Sequence, residues 1–112
     1  MNCIFLSRGK PTPMTKTVTL TGSLYPQYAY VTINGTVYTS AQTLEVEDGT
    51  EISVYVSAVY MNSSCFINFN GTRVLSGKGT YTFTLTADTT IAFASSGSSY
   101  YAMYYYASIV TS

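Results

Sequence analysis

Asn34-Gly35-Thr36 and Asn70-Gly71-Thr72 each interrupt a short apolar run that resumes on the far side. The first lies in Tyr30-Val31-Thr32-Ile33-Asn34-Gly35-Thr36-Val37-Tyr38. The second lies in Phe66-Ile67-Asn68-Phe69-Asn70-Gly71-Thr72-Arg73-Val74. Asn and Gly both tolerate positive φ, which a two-residue type I′ turn requires at its two central positions. The twist of that turn matches the twist of paired strands, so each stretch is expected to be a β-hairpin. Thr, Val, Tyr, Ile and Ser dominate elsewhere, and β-branched and aromatic residues suit a pleated surface. No helical periodicity competes with this pattern, and the expected class is all-β.

The likeness of the two stretches continues beyond the turn. Leu44-Glu45-Val46-Glu47-Asp48-Gly49-Thr50-Glu51-Ile52-Ser53-Val54 follows the first, and Phe83-Thr84-Leu85-Thr86-Ala87-Asp88-Thr89-Thr90-Ile91-Ala92-Phe93 follows the second. Both read as strand, Asp-containing turn, strand, so the chain is expected to consist of two similar halves within one antiparallel sandwich. Alternation then places Val18 and Leu20 inward, with Ala29, Val31 and Ile33, with Leu44 and Val46, and with Ile52, Val54 and Val56. In the second half Cys65, Ile67 and Phe69 share a face, as do Tyr81, Phe83 and Leu85, and Ile91 and Phe93. Asp48-Gly49 and Gly77-Lys78-Gly79 are expected turns.

At 112 residues the chain is one domain, sufficient for one two-sheet core. The expected division is an extended N-terminal arm over residues 1–15 and a sandwich over residues 16–112. Charged residues make up 9% of the chain, five basic against five acidic, where about 25% is usual for a soluble domain. Little electrostatic repulsion keeps such molecules apart. A neutral chain without a basic cluster argues against nucleic acid as a partner, and no apolar stretch is long enough for a membrane-spanning helix. Cys3-Ile4-Phe5-Leu6 is too short for the apolar region of a secretory leader, and its basic residues follow it. Export by that route is not expected from these residues.

Catalytic chemistry finds little purchase. There is no His, which removes Ser-His-Asp and Cys-His nucleophilic sites and the commonest metal ligand. Cys3 and Cys65 have no zinc spacing, and Cys65 reads as a small buried hydrophobe more than as half of a disulfide. Glu45, Glu47, Asp48 and Glu51 form the one acidic cluster, and a solvated strand face with a polar turn accounts for it better than a Ca²⁺ loop. Nothing sets Asp88 across a cleft from that cluster, as a paired-carboxylate glycosidase would need. No cofactor, no metal and no enzymatic activity are expected. Asn34, Asn62 and Asn70 begin N-glycosylation acceptor patterns, discounted in the absence of an export signal.

Two segments remain as candidate contact surfaces. Ile4, Phe5 and Leu6 precede Arg8-Gly9-Lys10-Pro11-Thr12-Pro13, whose prolines rule out a regular central strand. They are expected to dock on a neighbouring subunit, by adding a strand to its edge, or else to fold back on their own sheet or form a disordered tail. Tyr100-Tyr101-Ala102-Met103-Tyr104-Tyr105-Tyr106-Ala107-Ser108-Ile109-Val110 is apolar or aromatic on both faces and is expected to be covered on both. Twelve tyrosines offer large contact area with a polar tip, and Tyr101, Tyr104, Tyr105 and Tyr106 are the candidates for partner binding.

The spacing of strands and turns resembles small immunoglobulin-like domains of tailed-bacteriophage virion proteins and bacterial surface arrays. Val31-Thr32-Ile33-Asn34-Gly35, Val46-Glu47-Asp48-Gly49-Thr50 and Leu85-Thr86-Ala87-Asp88-Thr89-Thr90-Ile91 carry the resemblance. The chain departs from the immunoglobulin pattern in having no Trp and no Cys pair within the sandwich. The resemblance implies a non-enzymatic structural part, a capsid decoration or tail protein in the virion, assembled in the host cytoplasm and held by its arm and its tyrosine strand to itself or to other virion subunits. The expected state is a homo-oligomer. The alternative is a glycan- or cell-surface-binding module, at the bacterial surface or outside the cell, that uses exposed tyrosines.

Overall fold

The computed structural model describes residues 14–58, 65–96 and 103–112. In chain order the strands are β1 (Thr15–Gly22), β2 (Ala29–Ile33), β3 (Thr36–Tyr38), β4 (Gln42–Glu47), β5 (Glu51–Val56), β6 (Phe66–Phe69), β7 (Thr72–Ser76), β8 (Gly79–Thr84), β9 (Thr89–Ser96) and β10 (Tyr104–Thr111). They form two packed sheets, a six-stranded one ordered β4-β1-β9-β10-β6-β7 and a four-stranded one ordered β3-β2-β5-β8. The all-β, sandwich-like expectation holds. β1 takes in Thr15, which the sequence division gave to the arm.

Both Asn-Gly units are the hairpin turns expected of them. Asn34 and Gly35 have φ of 52° and 79°, and Asn70 and Gly71 have φ of 50° and 86°. Two successive left-handed residues reverse the chain, so β2 pairs antiparallel with β3 and β6 with β7. Asp48-Gly49 behaves differently. Gly49 is left-handed at 90°, but Asp48 is not. A single left-handed residue does not make a type I′ turn, and here the chain passes from β4 in one sheet to β5 in the other. The turn is held by Thr50 N–H donating to the Glu47 carbonyl at 3.2 Å.

One expectation is corrected. The sandwich is not purely antiparallel, because β1 runs parallel to β9 and β10 runs parallel to β6. Each is also antiparallel to its other neighbour, β1 to β4 and β10 to β9. These pairings join strands far apart in sequence, so no turn signal announces them.

Alternation decides the core. Val18, Leu20, Val31, Ile52, Val54, Val56, Ile67, Leu85, Ile91, Ala107 and Ile109 are fully buried, with Ile33, Val46, Phe83 and Phe93 nearly so. Leu44, Phe69 and Tyr81 take their expected faces but are half-buried. Each buried Val, Leu or Ile contributes about 1.5–3 kcal/mol, which dwarfs any single turn. Gly22 closes β1 where a Cβ would lie 1.8 Å from the Phe93 carbonyl oxygen. Only glycine fits this contact, and Ser23 N–H then donates to the same carbonyl at 3.0 Å. In the β6–β7 pair, register shifts between Ile67 and Asn68, a bulge that bends this edge.

Candidate functional site

β10 brings the tyrosines into position by lying inside the six-stranded sheet, between β9 and β6. Alternation then splits them. Tyr105, Ala107 and Ile109 point into the core, and Tyr104, Tyr106 and Ser108 point outward, half-buried. One face of the strand is thus covered by the core, and on the other Val110 is 56% exposed. Of the three described candidate tyrosines, Tyr105 is 8% exposed, on the core face. Tyr101, Ile4, Phe5 and Leu6 lie outside the described residues.

Tyr105 belongs to a cluster of three mutually neighbouring rings with Tyr25 and Tyr28, the Tyr25 and Tyr105 centroids lying 6.3 Å apart. The Tyr105 ring lies 5.6 Å from that of Tyr28 at 8°, and Tyr28 lies 5.4 Å from Tyr25 at 14°. Tyr25 is placed by a tight loop in which its N–H donates to the Ala29 carbonyl and Ala29 N–H donates back. The Tyr105 hydroxyl donates to Met103 Sδ at 3.8 Å. Burial pushes the Tyr105 phenol above the ordinary tyrosine range, and the neighbouring Tyr25 and Tyr28 add to the shift.

The outer face of the six-stranded sheet carries a second stack. Tyr106 and Phe66, cross-strand neighbours, have ring centroids 4.8 Å apart at 17°. The Arg73 guanidinium covers the ring of Phe66 at 3.9 Å, a cation–π contact. Tyr104 leans on Tyr106 at 6.1 Å. Sequence reasoning missed Arg73, because the bulge in β7 sets its register against Asn68 beside Phe66, and no pattern announces a bulge.

The outer face of the four-stranded sheet holds a third. Tyr30 and Tyr55 stack at 4.8 Å across β2 and β5. Beside them Thr32, Ser53 and Thr82 form a row of hydroxyls, with Ser53 and Thr82 hydrogen-bonded at 3.0 Å and Val37 exposed at its end. Among the outward strand residues of this face the one charge is Glu51. In all three stacks the rings lie against one another, so much of the tyrosine signal is spent on pairing within the chain.

The acidic cluster is the solvated surface expected. Glu47, Asp48 and Glu51 are exposed, and Glu45 accepts hydrogen bonds from the hydroxyls of Thr17 at 3.0 Å and Thr15 at 3.4 Å. Asp88 Oδ1 accepts from Thr17 N–H at 2.9 Å, which ties the β8–β9 connection to β1. Cys65 is a buried free thiol, raised above the usual cysteine range by desolvation. Among the described residues no three His, Cys, Asp or Glu side chains are grouped to hold a metal, and no pocket is formed. Nor does any described helix have the length and apolarity to cross a membrane. No protein-family model, no curated protein and no solved structure matches this chain.

Proposed function

We propose that this chain is a non-enzymatic structural subunit that works by assembling with copies of itself or with other subunits. The observation that carries the reading is the outer face of the four-stranded sheet. It presents Tyr30, Tyr55, Thr32, Ser53, Thr82 and Val37 with a single carboxylate, Glu51. A surface so poor in like charges does little to hold copies apart, and Tyr and Thr hydroxyls lose little when a polar partner replaces water. The resemblance noted from the sequence places such a subunit in a virion, as a capsid decoration or tail protein, assembled in the host cytoplasm. Size-exclusion chromatography with light scattering over a range of protein concentrations tests the reading. Concentration-dependent oligomers are expected, and a monomer at every concentration refutes it. Glycan binding lost in Tyr104→Ala would favour the adhesin-like alternative.

The same proposal includes a two-fold relation between halves. Removing β1 and β10 from the six-stranded sheet leaves β4-β9-β6-β7, which maps onto β8-β5-β2-β3 of the other sheet when β2–β5 and β6–β9 exchange places. The strand directions agree as well. This supports one immunoglobulin-like core built from two similar halves, with β1 and β10 inserted.

A further inference from the structure

We infer that the open edge of β8 receives the apolar segment Ile4-Phe5-Leu6 from a second copy of this chain, as an added strand. The inference rests on the assembly reading and names an edge of that same four-stranded sheet as a place where copies join.

The four sheet edges are not alike. β4 carries Glu45 and Glu47, β7 is bulged and carries Arg73, and β3 is three residues long. Charge, bulges and brevity each discourage strand addition. β8 has none of these. Its six residues, Gly79-Thr80-Tyr81-Thr82-Phe83-Thr84, are uncharged, free of Pro and paired with β5 without a shift of register. Among the described residues no strand lies on its other side.

The backbone groups that face outward can be named. Leu85 N–H donates to the Thr50 carbonyl at 2.8 Å, and Gly49 N–H donates to the Leu85 carbonyl at 2.7 Å. Leu85 therefore turns both its groups toward the β5 side. Backbone groups alternate sides along a strand, so those of Thr84, Thr82 and Thr80 point away from β5. The core is also incompletely closed here. Tyr81 packs against Phe69 at 5.9 Å, yet Tyr81, Phe69, Val74 and Leu75 all remain half-buried.

The length and composition of the chain before Met14 point to the occupant. The Met14 carbonyl accepts from Asp48 N–H at 2.8 Å, and the adjoining Gly49 donates to Leu85, one residue beyond β8. The described chain thus begins near the Asp48-Gly49 turn, on the β5 side of the end of β8, with thirteen residues preceding it in the sequence. Fully extended they reach about 43 Å, against about 20 Å for a six-residue strand. Ile4 and Leu6 would share one face of an added strand, beside Tyr81 on the core side, with Phe5 on the other. Pro11 and Pro13 each fix φ and disfavour a tight reversal, and on this ground the triplet is assigned to a second copy.

Two full-length variants test the inference. Thr82→Pro removes an outward N–H while leaving the bonds to β5, and Ile4→Asp/Phe5→Asp/Leu6→Asp removes the apolar strand. Light scattering is expected to give oligomers for the parent chain and monomers for each variant alone. Mixing the two should restore a heterodimer, because one retains the arm and the other the edge. Amide exchange at Thr80, Thr82 and Thr84 should be slow in the parent oligomer and fast in the arm variant. Should Thr82→Pro fail to fold, Thr80→Lys/Thr82→Lys replaces it. Oligomers that persist in both variants overturn the edge assignment and leave the assembly reading standing. A monomeric parent overturns both, and slow exchange at these amides in that monomer would assign the edge to the chain's own arm.

Discussion

Asn70 and Thr111 hold each other by two hydrogen bonds. Asn70 Nδ2 donates to Thr111 Oγ1 at 2.9 Å, and Thr111 N–H donates to Asn70 Oδ1 at 2.9 Å. Asn70 N–H also donates to the Ile109 carbonyl at 2.7 Å. One residue therefore makes the β6–β7 turn and prolongs the parallel pairing of β6 with β10.

Asn70→Gly keeps the left-handed turn and loses both side-chain bonds. A cost of about 1–2 kcal/mol is expected from exchanging two such bonds for water. Asn34→Gly, at the matching turn of the first half, is expected to change stability by less than about 0.5 kcal/mol. Urea unfolding of the two variants side by side checks the difference, and equal effects would refute the clamp.

Gly22→Ala drives a methyl group into the Phe93 carbonyl at a φ of 89°. Backbone must shift, and a loss of about 3 kcal/mol or more is expected from overpacking and left-handed strain combined. Gly49→Ala, also left-handed but with open space around its Cβ position, should lose only about 1–2 kcal/mol. Thermal melts of the two variants measure the contrast.

Tyr105 makes stability depend on alkaline pH. Its phenol is raised by burial, with Tyr25 and Tyr28 adding to the shift, so above the unfolded value near pH 10 the native state holds a proton that the unfolded state releases. The stabilising contribution is complete below that pH and is lost as pH rises through the folded value. Tyr105→Phe removes the titrating group and should flatten the decline of melting temperature above about pH 10. A decline identical to that of the parent would remove Tyr105 as its source.

Tyr30 and Tyr55 are expected to couple. A double-mutant cycle of Tyr30→Ala and Tyr55→Ala should return an interaction of about 0.5–1.5 kcal/mol for rings stacked at 4.8 Å. Additive losses would show that each ring packs on the sheet by itself.

Cys65 is expected to resist thiol reagents in the native state and react at once on unfolding, because it is buried and desolvation disfavours its thiolate. Native-state reaction at the rate of a free thiol would contradict its placement in the core.

Much of the inward-facing pattern was legible. Val31, Ile52, Val54 and Ile91 sit on the faces that alternation assigned, because a strand's period of two is a property of the backbone. The candidate contact residues were less so. Tyr104, Tyr105 and Tyr106 looked equivalent in a strand apolar on both sides, and only the sheets around β10 put one of them inside. Arg73 escaped notice because its place over Phe66 depends on a bulge.

The sequence by itself determined which segments are strands and where the chain reverses on itself, since Asn34-Gly35 and Asn70-Gly71 impose local dihedral angles that need no distant partner. The tertiary structure alone decided that β1 lies parallel to β9 and β10 to β6, that Asp48-Gly49 crosses between sheets, and that β8 is an edge strand among the described residues. Those outcomes are set by which faces exclude water together, a choice made between segments far apart in the chain and written in no single stretch of it.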